Sequence, residues 1–178
     1  GVITTKDRTV IGNALPKWYG GITNTFNYKG IDFSFMLQFN YGNDIYNATR
    51  LYATQTNTQR RNQLAEVADR WSPTNASNKV PRYNGYVVND VYSRFVEDGS
   101  FLRIKEVTLS YNIPRKWCKK AFLKSANVYI SGTNLLTWSK YSGYDPEVNT
   151  ATSAFIRGVD NGAFPKSRSY NLGVNLTF

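Results

Sequence analysis

This chain of 178 residues is predicted to be all-β, with antiparallel strands that form part of a large transmembrane β-barrel. Three observations carry that expectation. Apolar and polar residues alternate with a period of two in five segments. The segments reach the length of about 9–11 residues that a tilted strand needs to cross a bilayer, where strands of globular sheets average nearer about 5–6. Short and long connections alternate between them, as they do in barrels with tight turns on one side of the membrane and long loops on the other.

The first strand is predicted over residues 16–28. Trp18, Gly20, Ile22, Asn24, Phe26 and Tyr28 fall on one face, and Tyr19, Gly21, Thr23, Thr25 and Asn27 on the other. Residues 31–41 repeat the pattern more sharply, with Ile31, Phe33, Phe35, Leu37, Phe39 and Tyr41 opposed to Asp32, Ser34, Met36, Gln38 and Asn40. Lys29-Gly30 lies between them, and a glycine there supplies the positive φ of a tight hairpin.

The long connection 42–100 is read as an extracellular loop. Its stretch "RNQLAEVADRW" sets Leu64, Val67, Ala68 and Trp71 at helical spacing, so a helix is predicted over residues 64–71, ending before Ser72-Pro73. A third strand follows at 101–112. There Val107, Leu109 and Tyr111 alternate cleanly, but Leu102 and Ile104 have the opposite parity, which implies a bulge or a stretch above the bilayer. The fourth strand, 126–137, alternates well only over residues 127–131. A second long extracellular loop, 138–166, leads to the last strand, 168–178, where Tyr170, Leu172, Val174, Leu176 and Phe178 oppose Asn171, Gly173, Asn175 and Thr177.

Composition narrows the alternatives. Mean hydropathy is −0.46, and no apolar run approaches the roughly 18 residues of a transmembrane helix. Barrel strands are apolar only at alternate positions and pass that filter unseen. The net charge of +10 raises the question of a nucleic-acid partner. The densest basic cluster, Arg115, Lys116, Lys119, Lys120 and Lys124, sits in a single turn without a base-stacking motif, so nucleic acid is not expected. There is no histidine, which removes His-dependent catalytic triads and His-ligated zinc, and the lone Cys118 has no partner for an internal disulfide. No catalytic, metal or cofactor-binding residue is identified, and no enzyme activity is expected. The opening "GVITTKDRTVIGNALPKW" has no secretory-signal pattern and reads as interior sequence. Five strands are too few to close a membrane barrel, so the remaining strands are expected from sequence outside this chain.

Several strings, taken in order, resemble the SusC-like TonB-dependent outer-membrane transporters of Bacteroidetes. They are "NALPKWYGGITNTFNYKGIDFSFMLQFNYGNDIYN", "DRWSPTN", "VPR", "VEDGSFLRIKEVTLSYNIP", "VYISGTNLLTWSKYSGYDPEV" and "FPKSRSYNLGVNLTF". The resemblance implies the C-terminal portion of a plugged barrel of about 22 strands, with the plug lying in the missing N-terminal part. It also implies a SusD-like surface lipoprotein as partner, energy from the TonB complex through that missing part, outer-membrane lipid as surroundings, and a glycan or peptide as substrate. Phe178 resembles the terminal aromatic read by the barrel-assembly machinery.

Two groups of aromatics are set apart by position. Trp18, Tyr41, Tyr111 and Tyr170 lie near strand ends, where rings anchor a barrel at the headgroups. Trp71, Tyr83, Tyr86, Tyr92, Trp138, Tyr141 and Tyr144 are candidates for substrate or partner contact on the long loops, with packing of the loops on themselves as the competing reading. Asp145 and Glu147 flank Pro146 and are read as an Asp-Pro turn, since glycosidase carboxylates come from separated segments and a calcium loop needs more oxygen ligands. The rival fold is a secreted β-sandwich that binds carbohydrate, and a third class is an outer-membrane enzyme barrel.

Overall fold

The computed structural model describes residues 4–55, 62–83, 91–148, 150 and 157–178. In chain order its strands are β1 (Trp18–Tyr28), β2 (Ile31–Tyr41), β3 (Asp44–Asn47), β4 (Val96–Asp98), β5 (Phe101–Asn112), β6 (Ser125–Ser139), β7 (Val159–Asp160) and β8 (Ser169–Thr177). Two α-helices accompany them, α1 (Ala48–Thr54) and α2 (Arg115–Lys120). The chain forms two compact units. One comprises Pro16–Gly42, Ser100–Lys140 and Pro165–Phe178, and the other Gly1–Leu15, Asn43–Gly99 and Tyr141–Phe164.

The first unit is a five-stranded antiparallel sheet in the order β1-β2-β5-β6-β8. Lys29 at φ 48° and Gly30 at φ 87° make the two-residue turn that joins β1 to β2, the positive-φ pair that suits right-twisted strands. Register then carries one apolar set across the sheet. Ile22 faces Leu37, Phe26 faces Phe33, Phe33 faces Leu109, Leu109 faces Ile130, and Ile130 faces Leu172. The rings of Phe26, Phe33 and Phe35 cluster with centroids 5.9–6.3 Å apart. Two rings lie close over glycines of the neighbouring strand. A Cβ on Gly20 would come 3.1 Å from the Phe39 ring, and one on Gly173 would collide with Tyr129.

The other face is polar. Asn112 donates to Asp32 at 2.7 Å, and Asn127 donates to Asn112 at 2.9 Å, while Asn27 also donates to Asp32. These side chains make a ladder at the end of the sheet that carries the short turns.

The parity break in the third strand is a bulge. Met36 pairs with Glu106 and Leu37 with Ile104, so Lys105 has no opposite number in β2. On the β6 side, Asn134 at φ 53° and Leu135 occupy the matching interval between Thr133 and Leu136. The extra residue shifts the alternation by one, which returns Leu102 and Ile104 to the apolar face and puts Arg103 on the polar one. Arg103 is buried there over the Phe101 ring at 5.2 Å.

The apolar face stays open. Ile22, Phe26, Leu109, Ile130, Leu172 and Val174 are all exposed, whereas a sandwich would bury such a face against a second sheet. Trp18 and Tyr41 pair at one end of the sheet, and Tyr28 and Ile31, next to Tyr111, at the other. Ten steps of about 3.3 Å separate Trp18 from Tyr28, about 33 Å in all, and at a tilt of about 40° that is about 25 Å along the membrane normal. This is the height of the apolar band on an outer-membrane barrel, with rings at both rims.

Three expectations need correction. β6 runs to Ser139, beyond the predicted 137, because its ladder with β5 continues past the bulge to Phe101 and Ser139; Trp138 is therefore a strand residue. The helix expected over residues 64–71 is a single 3-10 turn, Ala65–Asp69. Leu64 and Arg70 are extended on either side, and Arg70 bridges to Val80 while the Trp71 amide donates to the Val80 carbonyl at 3.0 Å, so the backbone leaves the helix before Trp71. The α-helix of this connection is instead α1, at its start.

Candidate functional site

The second unit is made of the long connections and has its own small sheet, β4-β3-β7, in which β3 pairs antiparallel with β4 and parallel with β7. β3 passes directly into α1. Asn47 caps it, its side chain accepting from the Arg50 amide at 2.8 Å, which satisfies one of the amides a helix start leaves free. The inner side of α1 is Ala48, Leu51 and Thr54. Leu51 packs on Phe95, which is 0% exposed, and Tyr46 and Tyr92 close around the pair.

An ionic network ties the distant parts of this unit together. Arg50 makes a two-pronged contact with Glu66, at 3.1 Å through both Nε and Nη2, and reaches Glu97 through Nη1 at 3.3 Å. Arg94 adds a longer contact to Glu66 at 3.5 Å. The Arg50 hydrogen bonds hold the Glu66 carboxyl below its usual range. Glu97 also accepts from Asn47 and from both the amide and the hydroxyl of Ser142. Fork geometry fixes orientation as well as charge, so Arg50 acts as the hub of the unit.

An open cavity of about 810 Å³ lies beside this hub. Arg50, Glu66, Trp71, Lys79, Arg82 and Arg94 are among its lining. Four cations against one carboxylate give it a positive balance, with an indole at its wall.

The seven loop aromatics separate under this geometry. Trp71 is partly exposed at the cavity, Tyr83 is exposed, and Tyr144 is 81% exposed. Tyr92 is half-buried against Leu51 and Phe95. Trp138 sits on β6, in the sheet unit. Tyr86 lies outside the described residues. Tyr141 is 8% exposed and donates to Asp160 at 2.6 Å, so it braces the unit and offers no ring to solvent. Asp145 accepts from the Glu147 amide at 2.9 Å, the Asx geometry of a turn around Pro146. Phe178 is exposed just beyond the end of β8. The cavity's charged lining was not legible in the sequence: Arg50, Glu66 and Arg94 are too far apart for any local periodicity to join them.

Burial, and then the carboxylate of Asp160, push the Tyr141 hydroxyl well above the ordinary tyrosine value of 10.0. A raised folded value means the contribution is fully present below the unfolded value and is lost as pH rises beyond it. We therefore expect the loop unit to loosen above about pH 10, and Tyr141→Phe to flatten that dependence while costing about 1–2 kcal/mol at neutral pH. Hydrogen exchange of β7 amides against pH checks this. An unchanged alkaline profile in the variant would assign the loosening to another group.

No protein-family model matches the chain. The TonB-dependent receptor P26 of Formosa agariphila is 40% identical over 184 residues, covering 100% of this chain and 18% of the relative. The TonB-dependent receptor SusC of Bacteroides thetaiotaomicron is 27% identical over 180 residues, covering 100% of this chain and 17% of the relative. Among solved structures, the RagAB peptide transporter superposes with a TM-score of 0.81 at 25% identity, over 95% of this chain and 18% of the transporter chain. The chain thus spans under a fifth of the length of the relatives it matches.

Proposed function

The chain belongs with the SusC-like TonB-dependent receptors, as a stretch of the C-terminal portion of their outer-membrane barrel, and from that premise we propose that it serves active nutrient import. In this reading the complete protein carries glycans or peptides inward with a SusD-like surface lipoprotein and draws energy from the TonB complex. The observation that carries it is the five-stranded sheet with one uncovered apolar face, rimmed by aromatics at a spacing that matches the bilayer. Both edge strands, β1 and β8, pair on one side only among the described residues. Open edges are not tolerated in lipid, so both are completed by the rest of the barrel.

The loop unit then belongs on the outer surface. Its cavity beside Arg50 and the exposed rings of Trp71, Tyr83 and Tyr144 supply surface for a substrate or for the lipoprotein. The absence of histidine and the receptor and transporter relatives favour import over catalysis.

Protease treatment of intact cells tests the placement. Cuts are expected within residues 43–99, and their number should rise in a strain lacking the lipoprotein. Cleavage only after the outer membrane has been opened would put the loops on the periplasmic side and defeat the proposal.

A further inference from the structure

The turn between β5 and β6 has features that neither barrel closure nor import uses. Residues 113–124 carry Arg115, Lys116, Lys119, Lys120 and Lys124, all exposed, and the sequence has no acidic residue between Glu106 and Asp145. None of the five pairs with a carboxylate among the described residues. Asp32, the acidic residue at this end of the sheet, is already engaged by Asn27 and Asn112.

The helix end is the second observation. Leu123 donates to the Cys118 carbonyl at 3.0 Å and Phe122 to that of Lys119 at 3.3 Å, the paired bonds of a Schellman ending. The residue that must turn left-handed in such an ending is usually glycine. Here it is Phe122, at φ 59° and 93% exposed. A bulky side chain in that conformation is strained, and a bare ring in water gains nothing in return. Trp117, on α2, is 60% exposed, while Cys118 is buried and Ile113 and Leu123 are half-buried. Two solvent-facing rings and five cations therefore share the turn that joins β5 and β6 beyond Tyr111 and Val128, the last apolar pair of their ladder.

We propose that this turn is a binding surface for anionic phospholipid headgroups, with Trp117 and Phe122 entering the acyl boundary and the five cations meeting lipid phosphates. Aromatic rings are at home at headgroup depth, and clustered Lys and Arg close to a membrane surface add up in their attraction for anionic lipid. A lipid partner also accounts for phenylalanine at the strained position, because there the ring leaves water. The proposal rests on the barrel reading above.

The test uses the complete transporter in nanodiscs of phosphatidylcholine mixed with phosphatidylglycerol. Native mass spectrometry then counts the lipids retained on release. The wild type should retain phosphatidylglycerol in preference, and raising NaCl from about 0.1 M to about 1 M should weaken the preference. Neutralising Lys116, Lys119 and Lys120 together should lower it by about tenfold or more. Phe122→Gly relieves the backbone and should fold at least as well, yet retain less of this lipid. Equal retention of both lipids by the wild type, or a preference untouched by the charge change and by Phe122→Gly, overturns the proposal. So does a photo-crosslinker at position 117 that captures a periplasmic protein and no lipid in intact cells. A protein that enters nanodiscs without lipid preference defeats the turn alone, whereas one that never enters defeats the barrel reading with it.

Discussion

Leu37→Arg is expected to destabilise the complete barrel in lipid by about 2–4 kcal/mol, while Gln38→Arg on the same strand costs far less. Leu37 lies on the apolar face between Ile22 of β1 and Ile104 of β5, midway between the aromatic rims, so a guanidinium there has neither water nor a counter-charge within the bilayer. Gln38 pairs with Gly21 and Arg103 on the polar face, where an added cation stays hydrated. Urea unfolding of the refolded barrel in vesicles measures both. Equal losses at the two positions would mean that the faces are not divided between lipid and lumen.

Phe95→Ala should act on the loop unit with comparable force and leave the sheet intact. Phe95 is wholly buried, and truncating such a ring costs about 3–5 kcal/mol once the cavity it leaves is counted. The unit's buried apolar set is small, chiefly Ile45, Ala48, Leu51, Val67, Val80 and Phe95, so it has little stability to spare. We expect new protease sites within residues 43–99 in the variant, with the barrel still migrating as a folded species in unheated gels. Loss of the folded band would show that sheet and loops fail together.

The contrast between the two units explains how far the sequence was legible. Strand β2 announces itself because every second residue from Ile31 to Tyr41 is apolar, and a lipid-facing sheet writes its environment directly into local alternation. Even the irregularity at Lys105 left a trace, as a change of parity between Ile104 and Val107. The loop unit leaves no such trace. Its contacts join Arg50 to Glu97, Tyr141 to Asp160 and Tyr46 to Val159, and periodicity within a short window is blind to partners that far apart. α1, with seven residues, is too short to establish an amphipathic rhythm, and the helical spacing of Leu64, Val67, Ala68 and Trp71 was coincidence on a single 3-10 turn. The candidate aromatics divide in the same way. Tyr144 is exposed, but the burial of Tyr141 depends on Asp160, which nothing adjacent to it in sequence reveals.

The parallel pairing of β3 with β7 sets an order of events. Tyr46 must wait for Val159, so more than a hundred residues have to be threaded through β5, the α2 turn and β6 before the small sheet gains its third strand. Loop closure over such a span is entropically slow, whereas β1 and β2 can zip from a two-residue turn. During assembly, then, the hairpins should acquire protection early and the amides of β7 last. A barrel stalled before β6 is laid down would expose a two-stranded β3-β4 ribbon, too small to be stable by itself. The small sheet of the loop unit is thereby completed late, and a chain halted before β7 is expected to keep its unfinished loops open to proteases.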